Sequence, residues 1–180
     1  MRKLRLSLVC MLLFSFIYAQ TFSPKDAGSK VSFVIKNFGL KTSGTLTGLR
    51  GTILFDPNSL NTSLFNVSVN SKTIDTDNSS RDNHLRKEEY FNVEKYPVLT
   101  FVSTKITKST LEGRFYVFGN LTIKGVTKPI EFGFSATPTT SGYNFKGGFE
   151  INRRDFGVGG SSVSLSDNLK VTLDIVATKQ

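Results

Sequence analysis

Cysteine is nearly absent. The 180-residue chain has one, Cys10, and it falls within an apolar stretch near the N-terminus. Beyond it there is no thiol, which excludes disulfides, thiolate nucleophiles and cysteine-built metal sites from the rest of the chain. Histidine is also single, His84, and one imidazole without cysteine cannot make the usual zinc ligand set. Tryptophan is missing. There is no G-x-S-x-G nucleophile turn. Nor is there a dense basic run interleaved with aromatics, of the kind that tracks nucleic acid. No repeat or low-complexity linker divides the chain, and no apolar run reaches the ~20 residues of a bilayer-spanning helix.

The longest apolar run, residues 6–17, follows Arg2, Lys3 and Arg5 and is succeeded by Ala19. A positive flank, a short apolar centre and a small exit residue describe an export signal covering residues 1–19, for a periplasmic or secreted protein. The alternative, an uncleaved anchor, calls for a longer run. Cys10 lies inside the run instead of closing it, as a lipid-modified cysteine would. Residues 20–180 then form one domain. Removing Arg2, Lys3 and Arg5 from 23 basic residues leaves 20 against 14 acids, an excess of six. That excess serves solubility, or attraction to anionic headgroups and a transient contact with a membrane surface.

What is abundant is phenylalanine, 16 residues, among 15 glycines. Apolar residues alternate with polar ones at strand period over residues 29–37, 64–74, 98–105, 113–124, 127–137, 143–152 and 169–178. Residues 44–55 read as a further strand interrupted by Gly48 and Gly51, as bends in a barrel wall require. Asp56-Pro57-Asn58 makes a turn. Only residues 80–89 read as a helix, with Asp77, Asn78 and Ser79 as N-cap candidates. Short connections imply antiparallel pairing. The fold predicted is therefore all-β: an antiparallel barrel of about eight strands with one short helix inserted mid-chain. A two-sheet sandwich is the alternative.

Phe33, Phe55, Phe101, Phe132, Phe134, Phe145 and Phe149 recur at inward positions on different strands. They fill a core, or they line an apolar cavity whose space the interspersed Gly and Thr leave open. Glu131 and Glu150 alternate to the opposite face and read as solvent-facing, unlike a glycosidase pair. Arg81-Asp82 and Arg153-Arg154-Asp155 are two similar clusters. They pair across one barrel end, or Arg81, Arg86 or Arg153 meets a phosphate or polar headgroup through the guanidinium fork. His84 orients the helix, or it joins Asp82 in a hydrolytic site. No metal or cofactor is called for.

In this order the chain carries Val31-Ser32-Phe33, residues 51–57 (GTILFDP), Arg81-Asp82, His84-Leu85-Arg86, residues 90–97 (YFNVEKYP), Thr100-Phe101, residues 119–129 (GNLTIKGVTKP), Ile151-Asn152-Arg153 and residues 155–159 (DFGVG). Together these resemble the YceI-like family of polyisoprenoid-binding periplasmic proteins. The resemblance runs over almost all of residues 20–180. It implies a lipocalin-like barrel whose apolar interior holds an isoprenoid lipid or another long-chain amphiphile, without cofactor or catalysis. The seven phenylalanines would then line the tail site. Arg81, Asp82, His84, Arg86, Arg153 and Asp155 would form a headgroup site or a structural clamp at one barrel end. A hydrolase using Asp82 and His84, and an envelope interaction or adhesion module, are the competing readings.

Overall fold

The computed structural model describes residues 20–180, so the predicted export signal lies outside the described residues. One antiparallel sheet contains β1 (Thr21–Asn37), β2 (Leu40–Leu46), β3 (Arg50–Leu54), β4 (Leu64–Asn70), β5 (Val98–Lys108), β6 (Arg114–Ile123), β7 (Val126–Pro138), β8 (Gly142–Asn152) and β9 (Leu165–Lys179). Pairing of β1 with β9 closes the sheet on itself. Closure removes the sheet's edges except along β2, whose far side meets only the isolated bridge Thr45↔Asp75.

Nine strands make eight staves. β2 pairs with the second half of β1, from Val31↔Leu46 to Asn37↔Leu40, while β3 pairs with its start at Thr21↔Leu54. Between β2 and β3 the ladder is interrupted. There the Asp26 carboxylate accepts from the amides of Gly48 at 3.1 Å and Leu49 at 2.8 Å, replacing lost ladder bonds. The glycine-marked interruption expected over residues 44–55 is this break.

Two hairpins turn on two residues, Phe38-Gly39 and Lys124-Gly125, with φ of +50° and +76° in the first and +51° and +76° in the second. Paired positive φ values match the twist of the flanking strands, and glycine supplies the second at no steric cost.

Several strand and helix limits differ from expectation: β2 begins at Leu40 and not 44, β4 ends at Asn70 and not 74, and β5 runs on to Lys108. β1 begins at Thr21, eight residues before the predicted 29, because Pro24 is tolerated opposite Ala177, beside a bulge between Lys25 and Lys30. α1 (Ser79–Leu85) ends four residues before the predicted 89. Its N-cap is Asn78, whose side chain accepts from the Arg81 amide at 2.9 Å. A 3₁₀ turn at Arg153–Phe156 was not anticipated; Gly157, at φ +66°, ends it. β9 starts at Leu165, four residues before the predicted 169.

The barrel is filled at one end. Phe22, Phe55, Phe115, Phe134, Tyr143 and Phe145 pack there, with Phe55 at the centre. The Phe55 ring lies edge-on to Phe115, Tyr143 and Phe145 at centroid distances of 5.3, 5.2 and 5.3 Å. Such T-shaped contacts set the positive ring edge against the negative face. Phe55 was expected on a ligand-lining surface; it is instead the heart of this plug, 1% exposed.

Candidate functional site

Above the plug the lumen stays open. An apolar space of about 1080 Å³, counting the part open to solvent, is bordered by Phe33, Phe101, Phe132, Phe134, Phe145 and Phe149. These are six of the seven phenylalanines singled out by alternation. The same rule brings Phe65, Val67, Leu121, Val171 and Leu173 to this wall. None of these five was among the candidates: a filter for phenylalanine passes over the four aliphatic residues on the same inward faces, and Phe65 was omitted although it alternates in phase with Val67.

The space exists because rings lie against glycines instead of across the lumen. Phe33 rests on Gly44, and Phe101 on Gly119. A methyl at either glycine would come within 2.5 Å and 2.6 Å, respectively, of the ring's Cζ. Gly119 also faces a bulge in β5, where Thr104 is the extra residue between Ser103 and Lys105. Gly147 lets β7 approach closely: a methyl there would meet Phe134 Cβ at 3.1 Å and Phe132 Cδ2 at 3.4 Å.

A second space, about 1410 Å³ by the same measure, lies at the other end of the lumen. Its wall comes from α1, the β1–β2 hairpin and the segment between the 3₁₀ turn and β9. Thr76, Asn78, Ser80, Ser162 and Ser164 give it polar groups, beside Ile35, Tyr90 and Phe91. Phe33 borders both spaces. One chamber is thus apolar and the other amphipathic, and they adjoin at a single aromatic ring.

The six charged or titratable candidates divide by what their side chains do. Arg81, His84 and Arg153 border the amphipathic chamber. Arg81 donates from Nε to Thr76 Oγ1 at 2.7 Å and from Nη2 to the Thr76 carbonyl at 2.6 Å. These bonds fix its guanidinium and leave Nη1 without a partner among the described residues. The exposed His84 ring stacks at a tilt on Tyr90, centroids 4.8 Å apart.

Arg153 is 4% exposed, and its donors are spent on protein. Nε reaches the Ser166 carbonyl at 3.0 Å, Nη1 the Val158 and Gly160 carbonyls at 3.0 and 2.9 Å, and Nη2 the Asp167 carboxylate at 2.7 Å. A longer contact joins Nη2 to the Leu165 carbonyl at 3.5 Å. A guanidinium has five N–H groups, so this one holds its loop with none left over for an anion.

The remaining three lie outside both chambers. Asp82, buried, accepts on Oδ1 from the Thr76 amide at 3.0 Å and the Thr76 hydroxyl at 2.5 Å, anchoring α1 to the segment before it. Arg86 donates to the Lys72 and Ile74 carbonyls at 2.9 and 2.8 Å. Asp155 is exposed and in no ion pair among the described residues. The expected pairing between the Arg81-Asp82 and Arg153-Asp155 clusters does not form; Thr76 takes up the first and Asp167 the second. Asp82 and His84, two residues apart on a helix, leave it on different sides and do not form an acid–base dyad. Glu131 and Glu150 are exposed on the outer wall.

One carboxylate is electrostatically distinct. Asp174 on β9 lies opposite Lys146 on β8, with Lys146 Nζ 2.9 Å from Oδ2. The lysine hydrogen bond holds the Asp174 pKa below its ordinary 3.8, against the opposing effect of partial burial. Asn144 adds a second donor when its amide is turned so that Nδ2 faces Asp174 Oδ1, an oxygen otherwise without a partner. Lys146 and Asp174 both alternate with inward neighbours, Phe145 and Gly147 on β8 and Leu173 and Ile175 on β9, so their side chains meet on the outer side of the wall.

Comparison with known proteins gives a consistent result. A family profile described as YceI-like domain matches residues 22–177. The UPF0312 protein ECA1782 of Pectobacterium atrosepticum is 31% identical over 170 residues, covering 88% of this chain and 85% of that protein. The crystal structure of Burkholderia cenocepacia BcnA superposes with a TM-score of 0.81 at 24% identity, over 86% of this chain and 99% of that one. A domain from Saccharophagus degradans, described as polyisoprenoid-binding and implicated in plant cell wall breakdown, superposes with a TM-score of 0.70 at 14% identity. That match covers 91% of this chain and all of the other.

Proposed function

As the chain belongs to the YceI-like domain family, we propose that it is an exported binding protein for a long-chain amphiphile of the isoprenoid class, which it carries or sequesters without chemical conversion. The observation that carries this reading is the adjoining pair of chambers, one apolar and one amphipathic, on either side of Phe33. A molecule with a long hydrocarbon tail and a polar end has the same two-part character. The tail gains about 25 cal/mol for each Å² of apolar surface withdrawn from water. The polybranched chain of an isoprenoid suits a lumen walled by phenylalanine rings and aliphatic side chains.

The headgroup would sit in the amphipathic chamber. Arg81 is its best cationic contact, since the guanidinium is held by Thr76 and Nη1 remains available. His84 and the serine and threonine hydroxyls around it supply further polar contacts. Asp82, Arg86 and Arg153 act as the clamp that keeps α1 and the loop over the barrel end. Residues 1–19 serve as the export signal, which places the protein in the periplasm or outside the cell.

Native mass spectrometry of protein purified from its own cells without detergent tests the reading. A bound species of isoprenoid mass, lost on substitution of the apolar wall, is the expected result. A chain that remains empty, and that takes up neither polyprenyl phosphate nor quinone from micelles, overturns it.

A further inference from the structure

The most exposed large apolar side chains among the described residues are Val163, wholly in solvent, Phe38 at 81% and Leu40 at 73%. All three stand at the chamber end of the barrel. Phe38 is at the tip of the β1–β2 hairpin, and Leu40 opens β2. The Phe38 amide donates to the Ser164 carbonyl at 2.9 Å, which ties the tip to the loop that carries Val163. Their chain neighbours Asn37, Thr42, Ser162 and Ser164 line the amphipathic chamber, whereas these three do not. They form an apolar rim outside its opening.

The local fold does not require this arrangement. Phe38 adopts φ +50°, a region that a bulky residue rarely enters and that asparagine or glycine occupies at lower cost. Leu40 has the inward phase of Thr42, Gly44 and Leu46. It is nevertheless exposed, because β2 meets no strand on its far side except through the single bridge Thr45↔Asp75. Three protruding apolar groups around one opening therefore stand ready for an apolar medium outside the protein.

The charge nearby defines that medium. At this end of the barrel the β1–β2 hairpin holds Lys36 and Lys41 with no acid between them, and the 157–166 loop holds no acid; Asp167, which follows it, is taken up by Arg153 and Arg154. Lys36 and Lys41 face each other across the hairpin, an unfavourable juxtaposition that an anion relieves. They lie two and three residues behind Phe38, which puts them about 7–10 Å back along the strands. A side chain seated in the acyl boundary enters about 5–10 Å, so the ammonium groups would then be level with lipid headgroups.

We propose that this rim docks the barrel, opening first, on an anionic lipid bilayer. Phe38, Leu40 and Val163 enter the acyl boundary and Lys36 and Lys41 meet headgroup phosphates. The chamber then faces the bilayer, and an amphiphile passes between membrane and lumen without crossing bulk water. The proposal rests on the carrier reading for its purpose, but its test is separate.

Flotation with vesicles of dioleoyl phosphatidylethanolamine and phosphatidylglycerol, against vesicles of dioleoyl phosphatidylcholine, measures docking. The wild-type protein is expected to float with the anionic vesicles. The triple variant F38S/L40S/V163S should bind them about tenfold more weakly or worse. K36Q/K41Q should lose about 25-fold on the anionic vesicles and little on the neutral ones. Variants that float like the wild type overturn the proposal. So does a wild-type protein that ignores anionic vesicles, or a dimer, detected by sedimentation velocity, that the triple variant dissolves; the rim would then cover a second copy. Native mass spectra of the same preparations report lumen occupancy. A protein that retains its lipid but does not float overturns docking alone, and an empty protein that floats overturns the carrier reading alone.

Discussion

Phe33 lies with its ring against Gly44, its partner across the β1–β2 register. A methyl at Gly44 would approach Phe33 Cζ to 2.5 Å and the Asp75 carbonyl oxygen to 2.9 Å. The ring is thereby held against the wall where the two chambers adjoin. Gly44→Ala should destabilise the fold by about 1–3 kcal/mol, an overpacking cost. It should also turn Phe33 toward the lumen and slow ligand entry. F33L/G44A should recover part of the stability, since the flexible partner has been shortened while the backbone contact remains. Urea unfolding of the three variants, with uptake kinetics of a fluorescent polyene, checks both effects.

Filling the apolar chamber should abolish binding without loss of the fold. Val171 on β9 borders it at a level where the lumen is open. Val171→Trp places an indole in that space. Lipid uptake is expected to fall at least about tenfold, because the displaced tail surface no longer leaves water. Circular dichroism should be unchanged and Tm near that of the wild type; a variant that binds as before contradicts the assignment of this chamber to the tail.

Arg153 should act on stability before it acts on affinity. Its removal strands the Val158, Gly160 and Ser166 carbonyls and leaves Asp167 without its closest partner. Arg153→Met is expected to cost about 3 kcal/mol, and Arg153→Lys should not recover it, since an ammonium cannot reproduce the planar fork. Arg81→Met should show the opposite balance: a small stability change and weaker binding of phosphate-bearing lipids relative to neutral ones. Chemical denaturation paired with ligand titration separates the two arginines.

Asp82 and His84, two residues apart in the sequence, should behave differently. Asp82→Ala leaves the Thr76 amide and hydroxyl without their acceptor in a buried place and should cost about 1–3 kcal/mol. His84→Ala removes an exposed ring from Tyr90 and should cost no more than about 0.5 kcal/mol. Thermal melts decide it. A hydrolytic pair would instead show turnover that either substitution abolishes.

The Lys146–Asp174 pair sets a weak acid limit. Because the folded pKa of Asp174 is lowered, its contribution is complete above the unfolded value. It is lost as pH falls through the folded value, below 3.8. Lys146→Met should move the Asp174 carboxyl titration back toward the ordinary aspartate range and shift the acid limb of the stability curve to higher pH. The stability change should be modest, since both side chains are partly in water. Carboxyl-carbon NMR titration reads the first, and Tm as a function of pH reads the second.

Much of the barrel was legible from alternation, because a strand with one wet face must repeat every second residue. Turn residues separated the staves, and Gly48 and the Thr104–Gly119 region mark where the ladder departs from regularity. The extra length of β1 was not legible. Pro24 looks like a lead-in until the bulge beside it is seen. Nor was the 3₁₀ turn at Arg153–Phe156, which Asn152 and Gly157 cap and whose Arg153 side chain bonds acceptors on the segment that follows it, from Val158 to Asp167.

The site was legible as a set of residue types but not as a set of roles. Inward phenylalanines on separate strands carry the same local signature whether they fill or line. Their division depends on the level each occupies once β1 meets β9. At the plugged level Phe55 is surrounded by rings; at the open level Phe33 and Phe101 fold onto glycines. Charged residues follow the same rule. Arg81, Asp82 and Arg153 were visible as candidates, but only the closed barrel shows which of their donors and acceptors are already taken. The sequence by itself determined the strand period, the inward faces and the turns, which are properties of near neighbours along the chain. Closure decided which inward residues surround empty space and which arginine can still meet a ligand, because both depend on groups that only the tertiary fold brings together.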